Sequence, residues 1–204
     1  PYQRPLFNEF FLKEKKRILR ICHRRFGKDT EAFNLCWAAA LMRPGLYLYL
    51  LPKIEQARTV IWQGRGKDGR AWLDYIPKKL VTNTNNTMMK INLPNGSILR
   101  VTGADNYEAL IGSNPLGIVF SEYQSTNPLA WDLLRPILAE NDGWAFFNGT
   151  PRGHNHLYDM YEQNKDNPLW FTSLLTVNDT KYEDGRAVIS PEIIEQERRS
   201  GMAE

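Results

Sequence analysis

The sequence of 204 residues predicts an α/β fold with a central, mainly parallel β-sheet flanked by helices. Three observations carry that expectation. Short apolar runs of strand length recur at 16–22, 45–51, 117–123, 144–147 and 170–177. Segments with helical spacing separate most of them, which implies βαβ crossovers. The first run leads through a tight polar loop ending in Gly27-Lys28 into a long apolar stretch at 31–42, the order strand, loop, helix.

Each element has its own signal. Residues 5–16 read as a short helix carrying Leu6, Phe7, Phe10 and Phe11. Strand 16–22 and helix 32–42 follow; this helix is apolar nearly all round, so it is expected between the sheet and its neighbours. Strand 45–51 ends at Pro52, and Ile54, Ala57, Val60 and Ile61 give 53–62 a helical period. Residues 63–79 form a basic loop in which Arg65, Lys67, Arg70, Lys78 and Lys79 alternate with Trp72 and Tyr75. Such a loop suits either a nucleic-acid backbone or a solvated insertion. Asn95-Gly96, between Met89, Ile91, Leu93 and Ile98, Leu99, Val101, signals a hairpin over 88–101. A loop or short helix fills 103–112, and strand 117–123 ends in polar residues. Asn127-Pro128 opens a helix through Trp131, Leu134, Ile137 and Leu138. Strand 144–147, helix 156–164 and strand 170–177 complete the set. Ser190 as N-cap and Pro191 at the first position start a last helix. Residues 1–177 are therefore read as one core, and 178–204 as a lid or linker segment.

Composition narrows the class. Hydrophobic residues make up 42% and charged residues 24%, ordinary values for a globular chain. The longest apolar runs are too short to span a membrane and are separated by Arg43-Pro44, so no membrane partner is expected. The first residues, Pro1-Tyr2-Gln3-Arg4, have no signal-peptide character, and both chain ends read as those of an excised fragment. Two cysteines, Cys22 and Cys36, offer neither a disulfide framework nor zinc spacing, which fits a reducing cytoplasm. A net charge of +3 does not by itself imply nucleic acid.

The chemistry concentrates on residues 22–29. Strand, loop, Gly-Lys, helix is the layout of a phosphate-binding P-loop, where backbone N–H groups and a helix N-terminus face phosphates and the lysine reaches the β/γ oxygens. Two positions depart from that pattern: Cys22 replaces the first glycine, and Asp29 replaces the closing Ser/Thr. A P-loop ATPase also needs a strand ending in acids, an aspartate near Mg²⁺ and a glutamate that orients water. Here the strand 118–120 is followed by Ser121 and Glu122, so the glutamate is kept and the aspartate position holds a hydroxyl. The two departures are complementary. Asp29 and Ser121 together supply the carboxylate and the hydroxyl of the usual Mg²⁺ shell from exchanged sides. On this reading Glu122 activates water and Lys28 stabilises charge on ATP. Arg24 reaches the γ-phosphate or Glu122. Thr150 sits where a γ-phosphate sensor belongs, with a plain turn in Gly149-Thr150-Pro151 as the alternative.

Together these residues resemble the ATPase domain of the large terminase subunit, the DNA-packaging motor of tailed double-stranded DNA phages. Tyr2-Gln3 resembles its adenine-binding motif. Residues 24–28 resemble its deviant Walker A, with an arginine four before the lysine, and 112–122 its approach to Walker B. Asn148-Gly149-Thr150 resembles its coupling motif, and 191–199 the segment that precedes its nuclease domain. The resemblance implies an ASCE/RecA-like P-loop NTPase core, with nucleotide contacts from Tyr2, Gln3, Arg24, Arg25, Phe26, Gly27, Lys28, Asp29 and Thr30. Coupling residues would be Asn148, Gly149 and Thr150, and metal ligands Asp29 and Ser121. It also implies ATP and Mg²⁺ as cofactors and double-stranded DNA, a portal protein and a small terminase subunit as partners. The expected setting is a ring homo-oligomer docked on a procapsid in the bacterial host cytoplasm. In such a ring a neighbouring subunit supplies an arginine, for which Arg100, Arg135 and Arg152 are candidates. No nuclease activity is expected from these residues.

Two other readings share the features. A superfamily-2-like helicase half has a glutamine motif, a P-loop and an acidic strand, but this strand end lacks the paired acids. An inactive P-loop module for DNA binding or assembly would explain the lost Ser/Thr and aspartate, but not the retained Lys28, Glu122 and Arg24.

Overall fold

The computed structural model describes residues 1–66 and 68–201; Lys67 of the basic loop and Met202, Ala203 and Glu204 at the chain end lie outside the described residues. Among the described residues, eight strands form one sheet in the order β3-β4-β5-β2-β6-β7-β1-β8. They are β1 (Arg17–Cys22), β2 (Leu46–Leu51), β3 (Asn83–Asn85), β4 (Lys90–Asn92), β5 (Ile98–Gly103), β6 (Pro115–Phe120), β7 (Trp144–Gly149) and β8 (Trp170–Leu175). The six strands from β5 to β8 run parallel, and β4 and β3 add an antiparallel edge. The helices are α1 (Arg4–Phe11), α2 (Lys28–Met42), α3 (Ile54–Gln56), α4 (Leu129–Glu140), α5 (His156–Asn164) and α6 (Pro191–Arg199). An α/β fold with a mainly parallel sheet is what the alternating elements require.

Side chains alternate between the two faces of the sheet, and each face builds its own core. Ile18, Tyr47, Tyr49, Val119, Trp144 and Phe146 pack against Leu6 of α1 and Ala32, Phe33, Leu35 and Cys36 of α2. Leu19, Ile21, Leu48, Leu50, Ile118, Phe120 and Phe147 pack against Trp131, Leu134 and Leu138 of α4 and Leu157 of α5. Strands covered on both faces read as nearly unbroken apolar runs, which is why the sequence revealed them.

Several boundaries differ from expectation, each for a local reason. Helix α2 starts at Lys28, four residues early, because Gly27 takes a left-handed φ of 87° and ends the loop there. It buries one broad face, whereas Met42 at its end is exposed. The first helix stops at Phe11. The segment expected as one helix over 53–62 is α3 continuing into a π-helical stretch, Ala57–Trp62. Strand β7 runs on to Gly149, so Asn148 and Gly149 lie in the sheet rather than in a turn. Strand β3 was not expected: Asn83-Thr84-Asn85 is polar and exposed, and only pairing with β4 makes it a strand. No helix of the described residues is long and apolar enough to cross a membrane.

Candidate active site

The site lies where β1, β2, β6 and β7 end against the first turn of α2. Alternation places Tyr49, Ser121 and Asn148 on the same side as Val119 and Phe146, facing α2. All three converge on one oxygen of Asp29. Ser121 Oγ donates to Asp29 Oδ1 at 2.5 Å, Tyr49 Oη at 3.1 Å and Asn148 Nδ2 at 3.4 Å. The two residues that exchange identity relative to a usual P-loop site are thus direct partners. Burial, with the Asp29 carboxylate next to it, pushes the Tyr49 phenol well above its ordinary range, so it stays a donor.

Glu122 closes the other side. Its Oε1 pairs with Lys28 Nζ at 2.6 Å, and its Oε2 accepts from Gln124 Nε2 at 2.5 Å. Its backbone has a left-handed φ of 54°, and its N–H donates to Asn148 Oδ1 at 3.2 Å. A non-glycine residue in that region is uncommon. Burial would lower the Lys28 ammonium, but Asp29 and Glu122 beside it outweigh that and raise it above its ordinary value. Arg24 lines the same cavity but it is Lys28 that meets Glu122. That cavity, about 660 Å³, is also lined by Arg25, Gln124, Thr150 and Arg152.

The loop itself is anchored from below. Arg20, in β1, makes a bidentate pair with Glu31 of α2 at 3.0 and 3.1 Å, and a third donor reaches the Tyr2 carbonyl at 3.3 Å. The rings of Phe26 and Phe171 cover the guanidinium at 5.2 and 5.7 Å. Burial pushes the Glu31 carboxyl up to about 7, against the pull of Arg20. The Tyr2 ring meets Phe26 edge-on at 5.0 Å, and Gln3 Nε2 donates to the Gly27 carbonyl at 3.2 Å. Both adenine-motif candidates therefore sit on the loop. Arg25 also has a positive φ, 69°, beside the Gly27 bend. Cys22 is buried and its thiol is pushed up to about 12 by that burial, so at the first glycine position it packs and does not react. His23 Nε2 lies 2.9 Å from Thr180 Oγ1, tying the loop to the segment after β8.

Not every candidate joins the site. Thr30 turns towards Tyr75 of the 72–75 turn. Of the three candidate trans arginines, Arg152 lines the chain's own cavity. Arg135 lines a separate cavity with Arg17, Trp131 and Trp170, and Arg100 sits on β5. The sequence reading missed Tyr49, Gln124 and the Arg20–Glu31 pair. An arginine inside the apolar run 17–22 was the available signal, since a buried charge needs a partner.

No family model and no curated protein matches the sequence. Solved structures do. The ATPase domain of the large terminase of Thermus phage P74-26 matches over 93% of this chain and 84% of its own, with TM-score 0.70 and 19% identity. An arginine-to-alanine variant of that domain matches over 99% and 88%, with TM-score 0.76 and 17% identity. The large terminase of a second thermophilic bacteriophage matches over 99% of this chain but 50% of its own, with TM-score 0.74 and 14% identity. It has also been solved with ATP-γ-S and with ADP. The shared fold is that of the P-loop ATPase domains in these terminases, and this chain spans about half the length of the second one.

Proposed function

We propose that this chain hydrolyses ATP as the motor domain of a large terminase subunit and so drives double-stranded DNA into a procapsid. The observation that carries the reading is the double pair at the strand ends: Lys28 with Glu122, and Asp29 with Ser121. A P-loop lysine, a water-activating glutamate and a carboxylate–hydroxyl pair are the parts phosphoryl transfer to water requires. The ATP-γ-S and ADP complexes of a structural relative support nucleotide binding.

In this mechanism Tyr2 and Gln3 hold the base and the 24–28 loop holds the phosphates. Lys28 leaves Glu122 for the β/γ oxygens, which frees the Glu122 carboxylate to take a proton from water. The water oxygen bonds to the γ-phosphorus as the bond to the bridging oxygen of ADP breaks. Lys28, with Arg24, balances the charge that develops.

The donor set fits Mg²⁺: a carboxylate and a hydroxyl are hard oxygen ligands, and Mg²⁺ takes few protein groups and keeps waters. On this reading the protein's share is Asp29 and Ser121, which meet at 2.5 Å. Mg²⁺ would neutralise charge between the β- and γ-phosphates when bound. Asp29 Oδ1 is taken by three donors, which leaves Oδ2 as the oxygen to offer the metal.

The partners are double-stranded DNA, a portal protein and a small terminase subunit, and the working form is a ring in the bacterial cytoplasm. We assign these residues no nuclease activity. The test is Mg²⁺-dependent ATP binding and turnover at several protein concentrations. Wild type is expected to turn over, and Asp29→Ala to lose Mg²⁺ dependence. Absence of both binding and turnover favours an inactive module, and strand separation by the chain favours a helicase half.

A further inference from the structure

Gln124 belongs to none of the motifs read from the sequence, yet it touches two of them. It lies in the turn Tyr123–Ser125, directly after Glu122. Its Nε2 donates to Glu122 Oε2 at 2.5 Å. Its Oε1 is buried and has no hydrogen-bond partner. That oxygen lies against Gly149: a Cβ built at position 149 would meet it at 2.4 Å. The same Cβ would meet Leu157 Cδ2 at 2.4 Å, so the glycine is needed for close approach, not for backbone freedom. Gln124 therefore spans from the carboxylate of Glu122 to the end of β7.

Resting on the ATPase reading above, we infer that Gln124 is a positioning residue that anchors one oxygen of Glu122 and couples it to the end of β7 through Gly149. The division of labour follows from the two contacts. Lys28 holds Oε1, and Gln124 holds Oε2. When Lys28 moves to phosphate, Oε1 is released and becomes the oxygen that takes the proton. Oε2 stays tied to the amide, so the carboxylate keeps its direction instead of rotating freely. This matters because the other ties on Glu122 are to its backbone: its left-handed φ, the N–H bond to Asn148 and the Ser125 N–H donated to its carbonyl. The unpaired Oε1 of Gln124 has a consequence too. A buried acceptor without a donor is costly, so a shift of Gly149 that admits one pulls the amide and with it Glu122. Arg152 and Thr150, on the same cavity wall, carry donors of the right kind.

The test compares wild type with Gln124→Leu and Gln124→Met, both of which keep bulk against Gly149 and remove the amide. Turnover, the ATP dissociation constant and the thermal midpoint are measured on each. The expected result is a fall in kcat of about 10-fold or more, with nucleotide affinity within about 2-fold of wild type and an unchanged midpoint. Gly149→Ala, which drives the amide aside, should lower kcat in wild type and lower it less in a Gln124→Ala background, where the new Cβ meets only Leu157. Wild-type kcat in both Gln124 variants overturns the inference. So does a loss of kcat that only tracks lost affinity and a lowered midpoint, because that is a packing defect. If wild type binds nucleotide but never turns it over, the ATPase reading falls first and this inference with it.

Discussion

Two ion pairs flank the P-loop, and they are built for opposite ends. Arg20 and Glu31 meet at 3.0 Å with side chains 1% and 0% exposed, while Lys28 and Glu122 meet at 2.6 Å with side chains 11% and 34% exposed. The geometry of contact is similar; the surroundings are not. Arg20 has a second bond to Glu31, a bond to the Tyr2 carbonyl and an aromatic ring on each of two sides. With side chains 1% and 0% exposed, the pair is closed off from solvent. The Lys28–Glu122 pair opens into a cavity shared with Arg24, Arg25 and Arg152, and its lysine has another carboxylate, Asp29, beside it. The lower pair fastens β1, α2 and the N-terminal segment together; in the proposed reaction the upper pair exchanges partners. Burial and the number of partners, not the distance, separate the closed pair from the one that opens to a cavity.

The comparison predicts a double dissociation. Glu122→Ala should lower ATP turnover by about 10² to 10⁴-fold, the range expected for loss of a general base, and leave the thermal midpoint within a few degrees. A variant that unfolds instead would make the upper pair a strut as well. Arg20→Ala should do the reverse at the level of folding. It leaves Glu31 buried and unpaired, at a cost of about 3–5 kcal/mol, read by denaturant unfolding. Replacing both partners, Arg20→Met with Glu31→Leu, should recover most of that loss, since an apolar pair in the same space has no charge to desolvate. Failure of the double variant to recover would show that the bond to the Tyr2 carbonyl, not the pairing, dominates.

The strut also has a pH signature. Burial raises the folded-state pKa of Glu31 from 4.5 to about 7. The native state then holds the proton more tightly than the unfolded chain between those values. The stability linked to that proton is fully present below about 4.5 and is lost as pH rises towards 7. The slope is at most about 1.4 kcal/mol per pH unit for one proton. Glu31→Gln should flatten the profile in that window; an unchanged slope would mean Arg20 keeps Glu31 ionised throughout.

What the sequence disclosed divides along the same line. The sheet was legible because strands buried on both faces, such as Leu46–Leu51, read as apolar runs, and the P-loop because Gly27 and Lys28 sit between strand and helix. The complementary departures at Asp29 and Ser121 pointed to each other, and the structure brings them within 2.5 Å. The contributions of Tyr49 and Gln124 were not legible. Tyr49 is indistinguishable from a core aromatic until β2 is known to end beside α2, and Gln124 matters only because Gly149 lets it pass. Strand β3 was hidden because its residues are polar and only the pairing defines it. Local pattern reports burial; which strand ends meet is set by a sheet order that links residues far apart in the chain.

The smallest expected effect lies at Asp29, and it sharpens the contrast most finely. Tyr49→Phe removes one of three donors from Asp29 Oδ1 and leaves Ser121 and Asn148 in place. No buried group is orphaned, because the donor is lost and the acceptor keeps two others. The stability change should be about 1 kcal/mol or less. The functional readout is more specific. If the three donors serve to turn Oδ2 towards a metal, Tyr49→Phe should weaken ATP binding several-fold with Mg²⁺ present and leave binding in excess chelator unchanged. Equal weakening in both conditions would mean that Tyr49 supports the loop as Arg20 does. No weakening in either would mean that Ser121 alone orients Asp29, and the shorter of the three bonds, 2.5 Å against 3.1 and 3.4 Å, would then carry the whole arrangement.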